Sequence, residues 1–388
     1  MPRRLLSLLL APTRVWPCRA ACSRCCWPPR APCWRCGRCW PAGAWRWPRW
    51  PRGWPSGSGG RRCCCAAGPA RRWGGSAGTR PRPGWPTAPS GSTRTLRLPG
   101  SGLRLHYVTR GPPGAPLVLL LHGFPQNWFC WRHLLPELSA RFRVVALDLR
   151  GCGASEKPPG RDSYRLELLL GDIRDVIEAL GTPAAAPRCV LVGHDWGGVL
   201  AWELASSHPQ LVEKLVVMDA PHRGVMAAFS ARHPSQLLRS CYLFLFQLPW
   251  LPELLLSLAD FQLVRTFLTS AWTGIQDPAW RLSEQELDSY LFSLSQPGGL
   301  SPPIHYYRNL FRDTPIPREP PPPPTLLLWG SRDAFLDPRL GPAHLRWLRP
   351  SARLRLLPGA SHWLPEERPR PLAKLIGEFL GGGAEEGS

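Results

Sequence analysis

The segment Val190-Leu191-Val192-Gly193-His194-Asp195-Trp196-Gly197-Gly198-Val199-Leu200 sets one reactive residue among glycines where two patterns meet. An apolar, β-rich run stops at Gly193. A helical pattern opens after Gly198 with Val199, Leu200, Trp202 and Leu204. Gly-x-nucleophile-x-Gly at a strand-to-helix turn is the spacing of a nucleophile elbow. The glycines are needed because such a turn is strained and other backbone crowds against it. The nucleophile position holds Asp195 rather than serine, and that residue type selects the chemistry. A serine attacking saturated carbon leaves an ether; an aspartate leaves an ester. The ester carbonyl then lies beside backbone N–H groups able to stabilise a tetrahedral oxyanion, and water activated by a histidine can hydrolyse it. The segment therefore points to hydrolysis of an electrophile at saturated carbon, an epoxide or an alkyl halide. The plain structural alternative is a strand–helix turn with Asp195 as N-cap. The rest of the chain favours the elbow.

Later residues supply partners. Asp333 in Trp329-Gly330-Ser331-Arg332-Asp333 follows one apolar run, and His362 in Gly359-Ala360-Ser361-His362-Trp363 follows the last. The order Asp195, Asp333, His362 is that of nucleophile, acid and histidine in the α/β-hydrolase arrangement. His362 would take a proton from water, and Asp333 would fix its tautomer and stabilise the imidazolium. Asp219, at another run's end, is the second candidate acid, and Asp337 the third. His122-Gly123-Phe124-Pro125 stands where an oxyanion loop belongs. The expected donors are the backbone N–H groups of Phe124 and Trp196, aided by the positive end of the elbow helix. His122 and His194 flank this site and are assigned structural places. Opening an epoxide develops an alkoxide, and a phenol with a pKa of about 10 suits its protonation. Of the six tyrosines, Tyr242, Tyr290, Tyr306 and Tyr307 lie in one stretch discussed next. Nothing in the pattern calls for a cofactor or a metal.

These residues need a scaffold. Thr95–Leu98 and Leu103–Thr109 alternate around Gly102 and predict an antiparallel hairpin. Apolar runs at Leu117–Leu121, Arg143–Leu147, Val190–Gly193, Leu215–Met218, Thr325–Trp329 and Leu354–Leu357 predict buried parallel strands. Helices are expected at Trp128–Leu138, at Leu166–Leu180 with Ser163 as N-cap, around Pro342–Leu348, and near Pro371–Leu380. Alternating strands and helices mean an α/β protein with a mostly parallel sheet covered on both faces. Residues 221–318 differ: they carry helical apolar spacing and no clear strand. They predict an inserted helical cap over the sheet's carboxyl edge, where open α/β sheets bind ligands. Pro320–Pro324 would be a stiff return. The expected division is a tail (1–95), a core (96–220 and 319–388) and a cap (221–318).

The formal net charge is +21 over 388 residues, but it is uneven. Residues 1–95 hold 18 Arg and no Lys, Asp or Glu, leaving +3 for the remainder. They also hold 10 of the 14 Cys and 10 of the 20 Trp. Without periodicity, this composition reads as disordered low complexity. Binding of nucleic acid would rest on this tail alone, and it is the alternative from another class of function. The CxxC pairs among Cys22, Cys25, Cys33, Cys36 and Cys39 lack zinc-finger spacing. Gly74-Gly75-Ser76-Ala77-Gly78 matches a serine-esterase spacing, but no strand precedes it. Leu5–Leu10 is far short of the roughly 20 apolar residues that a membrane span takes. Tyr242–Leu258 is apolar enough to lie on a membrane, but Pro249, Pro252 and Glu253 argue against its crossing one. Cys130, Cys152, Cys189 and Cys241 are scattered and are expected to be free thiols in a reducing compartment.

Taken together, HGFPQNWFCWR (122–132), DLRGCGASEKP (148–158), GHDWGG (193–198), FLFQLPWLPE (244–253), HYYRNLFR (305–312), LLLWGSRD (326–333) and LPGASHW (357–363) resemble the α/β-hydrolase epoxide hydrolases, above all the vertebrate epoxide hydrolase 3 group. The resemblance covers roughly residues 96–382. HDWG alone is shared with haloalkane dehalogenases, the alternative within hydrolases. The resemblance implies Asp195 as nucleophile, Asp333 as the charge-stabilising acid and His362 as the base. Tyr307, directly before Arg308, matches the main proton donor, and Tyr242 the second; adjacent Tyr306 is the residue most easily mistaken for Tyr307. It further implies lipophilic, fatty-acid-type epoxides as substrates, vicinal diols as products and no cofactor. The group usually carries an N-terminal membrane anchor and sits on the endoplasmic reticulum. Here the Arg/Trp/Cys tail stands in the anchor's place, and Cys152 stands where a tyrosine is common.

Overall fold

The computed structural model describes residues 91–182, 185–312, 323–348 and 352–381. The readings of Leu5–Leu10, the CxxC pairs, the Gly74–Gly78 spacing and Pro320–Pro322 fall outside them. Eight strands form one sheet: β1 Ser92–Arg97, β2 Arg104–Arg110, β3 Leu117–Leu121, β4 Arg143–Leu147, β5 Cys189–His194, β6 Val212–Met218, β7 Thr325–Gly330 and β8 Arg353–Leu357. Their spatial order is β1-β2-β4-β3-β5-β6-β7-β8. β1, β2 and β4 pair antiparallel, and all other neighbours pair parallel. The expected hairpin is present, and β1 takes in Ser92–Thr95, which composition had placed with the tail.

The central strands are apolar along their whole length because both faces are covered. Every residue of β3 is at most 1% exposed, and parallel strands sandwiched by helices bury both side-chain rows. The helix Leu166–Leu180 supplies one cover. It buries Leu169, Ile173, Val176, Ile177 and Leu180, one stripe at helical spacing, while its opposite face meets water. Each fully buried aliphatic side chain of this kind contributes about 1.5–3 kcal/mol, so an aspartate at Val176 would break the stripe.

Three helix expectations are corrected. Trp128–Leu138 is a 3₁₀ turn, Trp128–Trp131, followed by a short helix, Leu134–Leu138. Pro136 has no N–H with which to bond the carbonyl four residues back, so one continuous helix would lose a rung. Ser163 does not cap Leu166–Leu180. Its hydroxyl donates to Pro159 O at 2.7 Å, and Arg165, extended, is the N-cap. The stretch near Pro342–Leu348 is the helix Leu340–Ala343 running into a 3₁₀ turn, His344–Arg346.

Between β6 and β7 the described residues form no strand. They form helices at Arg223–Ser230, Pro234–Arg239, Tyr242–Leu245, Leu251–Thr269, Glu284–Ser295 and Ser301–Asn309. The fourth is broken by non-helical backbone at Leu258–Phe261. Side-chain ties join this layer to the sheet. Arg132 pairs with Glu286 at 2.7 Å and with Glu366 at 2.8 Å. Asn127 Nδ2 donates to Ser289 O at 3.1 Å. Among the described residues no helix is long and apolar enough to cross a membrane. Cys130, Cys152, Cys189 and Cys241 are free thiols.

Candidate active site

The order of strands reverses at β3, whose neighbours β4 and β5 lead the chain in opposite directions. Such a switch point opens a crevice at the strands' carboxyl ends. Asp195 stands there, between β5 and the helix Trp196–Ser207. Its backbone is at φ 51°, ψ −121°, a conformation that a side chain rarely adopts. The neighbouring glycines make that turn possible. A Cβ on Gly197 would strike the carbonyl of Leu121 in β3, and one on Gly198 would strike Ala220. Strain at this point lifts the carboxyl clear of the sheet: its side chain is 18% exposed, against 4% for His362 and 0% for Asp333. Only the would-be nucleophile is open to a substrate.

The three residues converge although they lie far apart in sequence. His362 Nε2 is 3.6 Å from Asp195 Oδ2, and His362 Nδ1 is 2.7 Å from Asp333 Oδ2. Asp333 Oδ1 accepts from the N–H groups of Phe335 (2.7 Å) and Leu336 (2.9 Å), which locks the carboxylate. Burial by itself would lower the pKa of His362. The charges of Asp333 and Asp195 outweigh burial and raise it well above the ordinary histidine value. Burial would likewise raise the pKa of Asp195, but the imidazole of His362, 3.6 Å away, and that of His194 hold it below the usual carboxylate value. Both shifts favour the ionic form of the resting pair.

Phe124 N–H donates to Asp195 Oδ1 at 2.8 Å, as a member of an oxyanion hole should. Trp196, the second expected donor, opens the elbow helix, so its N–H has no partner within that helix. His122 and His194 take structural places. His122 Nδ1–H donates to Gly123 O at 2.9 Å, and its Nε2 accepts from Leu149 N–H at 3.1 Å, pinning the oxyanion loop. His194 Nε2–H donates to His362 O at 2.8 Å. Burial, then the charge on His362, lowers the pKa of His194 to about 4. Asp337 pairs with Arg339 at 2.7 Å and is no partner of His362.

The rings of Tyr307 and Tyr242 pack edge-on near Asp195, whose charge bears on both phenols. Their ring centroids are 6.0 Å apart. Burial, then the Asp195 charge, pushes both pKa values up, so both are protonated donors. Tyr306 turns the other way, donating to Arg150 O at 2.7 Å. Tyr290 donates to Glu366.

Sequence reasoning missed the groups that aim the phenols. The indole of Trp196 packs edge-on against the ring of Tyr307, with 5.1 Å between centroids. Gln247 Nε2 donates to Tyr307 O at 2.8 Å. Arg308, the next residue, makes a two-pronged pair with Glu253 at 2.6 and 2.8 Å. Its signal lay in the quoted HYYR and LPE runs, but only folding joins them. His194, Asp219 and His362 converge, with potential ligand atoms within 4.8 Å of one another. Both ring nitrogens of His362 already face carboxylates.

The chain matches the family model described as alpha/beta hydrolase fold over residues 116–369. It is 47% identical over 285 residues to epoxide hydrolase 3 of Xenopus tropicalis, covering 74% of this chain and 77% of that protein. It is 44% identical to human epoxide hydrolase 4, covering 74% and 78%. Among solved structures, an epoxide hydrolase from Bacillus megaterium, in complex with an inhibitor, is similar with a TM-score of 0.65 and 30% identity, covering 74% of this chain and 99% of that one. With these relatives and this arrangement of side chains, the chain belongs to the epoxide hydrolases of the α/β-hydrolase fold.

Proposed function

We propose that the protein hydrolyses lipophilic, fatty-acid-type epoxides to vicinal diols in two steps through an ester on Asp195. In the first step an Asp195 carboxylate oxygen forms a bond to an epoxide carbon. The C–O bond breaks, and the released alkoxide takes a proton from Tyr307 or Tyr242. The imidazolium of His362 returns a proton to the tyrosinate. In the second step the neutral imidazole takes a proton from water, and the hydroxide adds to the ester carbonyl. The diol oxygen expelled on collapse takes up the proton left on the Asp195 carboxyl. The N–H groups of Phe124 and Trp196 hold the oxyanion until the diol leaves. Esterification removes the charge on Asp195, one of the two that keep the imidazole protonated. The affinity of His362 for its proton therefore falls when a base is required.

One observation carries this reading: a partly exposed carboxylate on a strained elbow, 3.6 Å from an imidazole backed at 2.7 Å by a buried acid, with two protonated phenols close by. Paired phenols suit an alkoxide leaving group rather than a halide. Residues 221–318 act as the lid that carries those phenols, and the residues before β1 as a tail apart from catalysis. The outer lid exposes Leu238 (75%), Trp250 (68%) and Phe244 (61%), which supports association with a membrane surface where lipophilic epoxides collect. With the family resemblance, this favours the endoplasmic reticulum as the site of action. Single turnover in ¹⁸O-water tests the chemistry. Label incorporated into Asp195 is the expected result; label found only in the diol rejects the ester.

A further inference from the structure

Asp219 ends β6 beside the catalytic pair and has no part in the two-step scheme. It is fully buried, and its backbone is held at φ 41°, a strained value for a residue with a side chain. Oδ1 accepts the Gly330 N–H at 2.8 Å. Oδ2 is buried with no hydrogen-bond donor, and an orphan acceptor of this kind is unfavourable. What surrounds Oδ2 explains it. From the loop after β7 comes Asp333: its N–H donates to the carbonyl of the same Gly330 at 3.3 Å, its carboxylate is 2.7 Å from His362 Nδ1, and its charge bears on Asp219. From the loop after β8 comes His362, and from β5 comes His194, both with ring atoms within 4.8 Å of Asp219. Two neighbouring buried carboxyls cannot both ionise. Asp333 faces three donors, the N–H groups of Phe335 and Leu336 and the imidazole of His362, so it keeps the charge. A proton on Asp219 Oδ2 turns the orphan acceptor into a donor. The carboxylate of Asp333 is a better acceptor for it than the neutral ring of His194.

We propose that Asp219 is a permanently protonated positioning residue whose carboxyl O–H donates to Asp333, making the acid behind His362 a proton-sharing pair of carboxyls rather than a lone carboxylate. Burial and the neighbouring Asp333 charge both favour the neutral form of Asp219, in agreement with this arrangement. Asp219 touches no reacting atom. It holds Asp333 against the Nδ1 side of His362 and ties both to Gly330 at the end of β7. The inference deepens the proposed two-step reading and rests on it for its catalytic consequence only.

The test has a spectroscopic arm and a kinetic arm. Infrared difference spectra of wild type against Asp219→Asn at pH ~8, well above ordinary carboxyl pKa values, read the proton whether or not an epoxide is turned over. The C=O stretch of a protonated carboxyl should be present in wild type and missing from the variant. Loss of ionised-carboxylate bands instead overturns the proposal. In the kinetic arm, breakdown of the ester formed from epoxystearic acid is followed in single turnover. Asp219→Ala should slow it roughly tenfold through a misplaced acid. Asp219→Asn, whose amide can donate to Asp333 and accept from Gly330, should recover most of that loss. An asparagine as slow as the alanine, or an alanine as fast as wild type, overturns the proposal. If Asp219→Ala does not fold, the infrared arm and the asparagine rate decide it. Wild type that fails to open epoxystearic acid overturns the proposed reaction and leaves the infrared result standing.

Discussion

Removing one hydroxyl, by Tyr307→Phe, isolates the step at which the epoxide opens. The ring of Tyr307 is packed edge-on against Trp196 (5.1 Å between centroids), Phe246 (4.9 Å) and Phe124 (5.7 Å). Phenylalanine keeps all three contacts, so the lid should close as before. What is lost is a hydrogen bond to a developing alkoxide, a charge-assisted interaction of about 1.5–3 kcal/mol. At 1.36 kcal/mol per decade, kcat/KM should fall roughly 10- to 150-fold. Because the interaction matures only as the C–O bond breaks, kcat should fall with kcat/KM, leaving KM little changed. Tyr242 is 6.0 Å away and lies near the same carboxylate, so it keeps part of the acid function in the single variant. Tyr242→Phe should cost less than or as much as Tyr307→Phe. The double variant should lose the whole general-acid contribution, roughly 10²–10⁴-fold. The assay is single-turnover formation of the Asp195 ester, followed by rapid quench and mass spectrometry, with thermal melting as the folding control. Rates within about twofold of wild type for both single variants and the double would refute the reasoning. Full retention in Tyr307→Phe, together with turnover of alkyl halides, would instead favour a dehalogenase.

Two further outcomes follow from the same geometry. His362→Gln removes the base but spares the nucleophile, so it should open the epoxide and then stall. Intact-mass spectrometry should find the ester accumulating on Asp195, with the steady-state rate down roughly 10²–10⁴-fold. The ion pair also makes stability depend on pH in a definite sense. The raised pKa of His362 stabilises the fold below its unfolded value of 6.5, and that part is lost as pH rises through the higher folded value. The lowered pKa of Asp195 stabilises the fold above its unfolded value of 3.8, and that part is lost as pH falls through the lower folded value. Denaturant melts of wild type against Asp195→Asn should therefore differ most in the mildly acidic range between those limits. The difference should shrink on both sides.

Much of the scaffold is local in origin. β3 and β4 occupy the residues their apolar runs mark, and Leu166–Leu180 is the helix its stripe of Leu, Ile and Val requires. These elements are legible because burial on two faces, or on one helical stripe, leaves a period in the chain. Where local chemistry competes with the period, the reading slips. Pro136 splits one expected helix, and the extended Arg165 takes the cap from Ser163. The elbow was legible for a similar reason: a strained turn with backbone on every side tolerates only glycine around the nucleophile.

Partnerships across the fold are another matter. Asp333, Asp219 and Asp337 all follow apolar or turn-forming runs, and nothing local separates them. The tertiary structure does, by setting Asp333 at 2.7 Å from His362, pairing Asp337 with Arg339 and leaving Asp219 with an unanswered oxygen. Tyr306 and Tyr307 are adjacent on one helix, so only its rotation against the sheet decides which of them sees Asp195 and which donates to Arg150. Residue type and spacing are properties of the chain by itself, and they determined the elbow, the sheet and the class of electrophile. Distance, burial and charge between residues remote in sequence exist only once the sheet has gathered its strand ends under the lid. Which acid stands behind His362 and which phenol stands near Asp195 therefore follow from the tertiary structure.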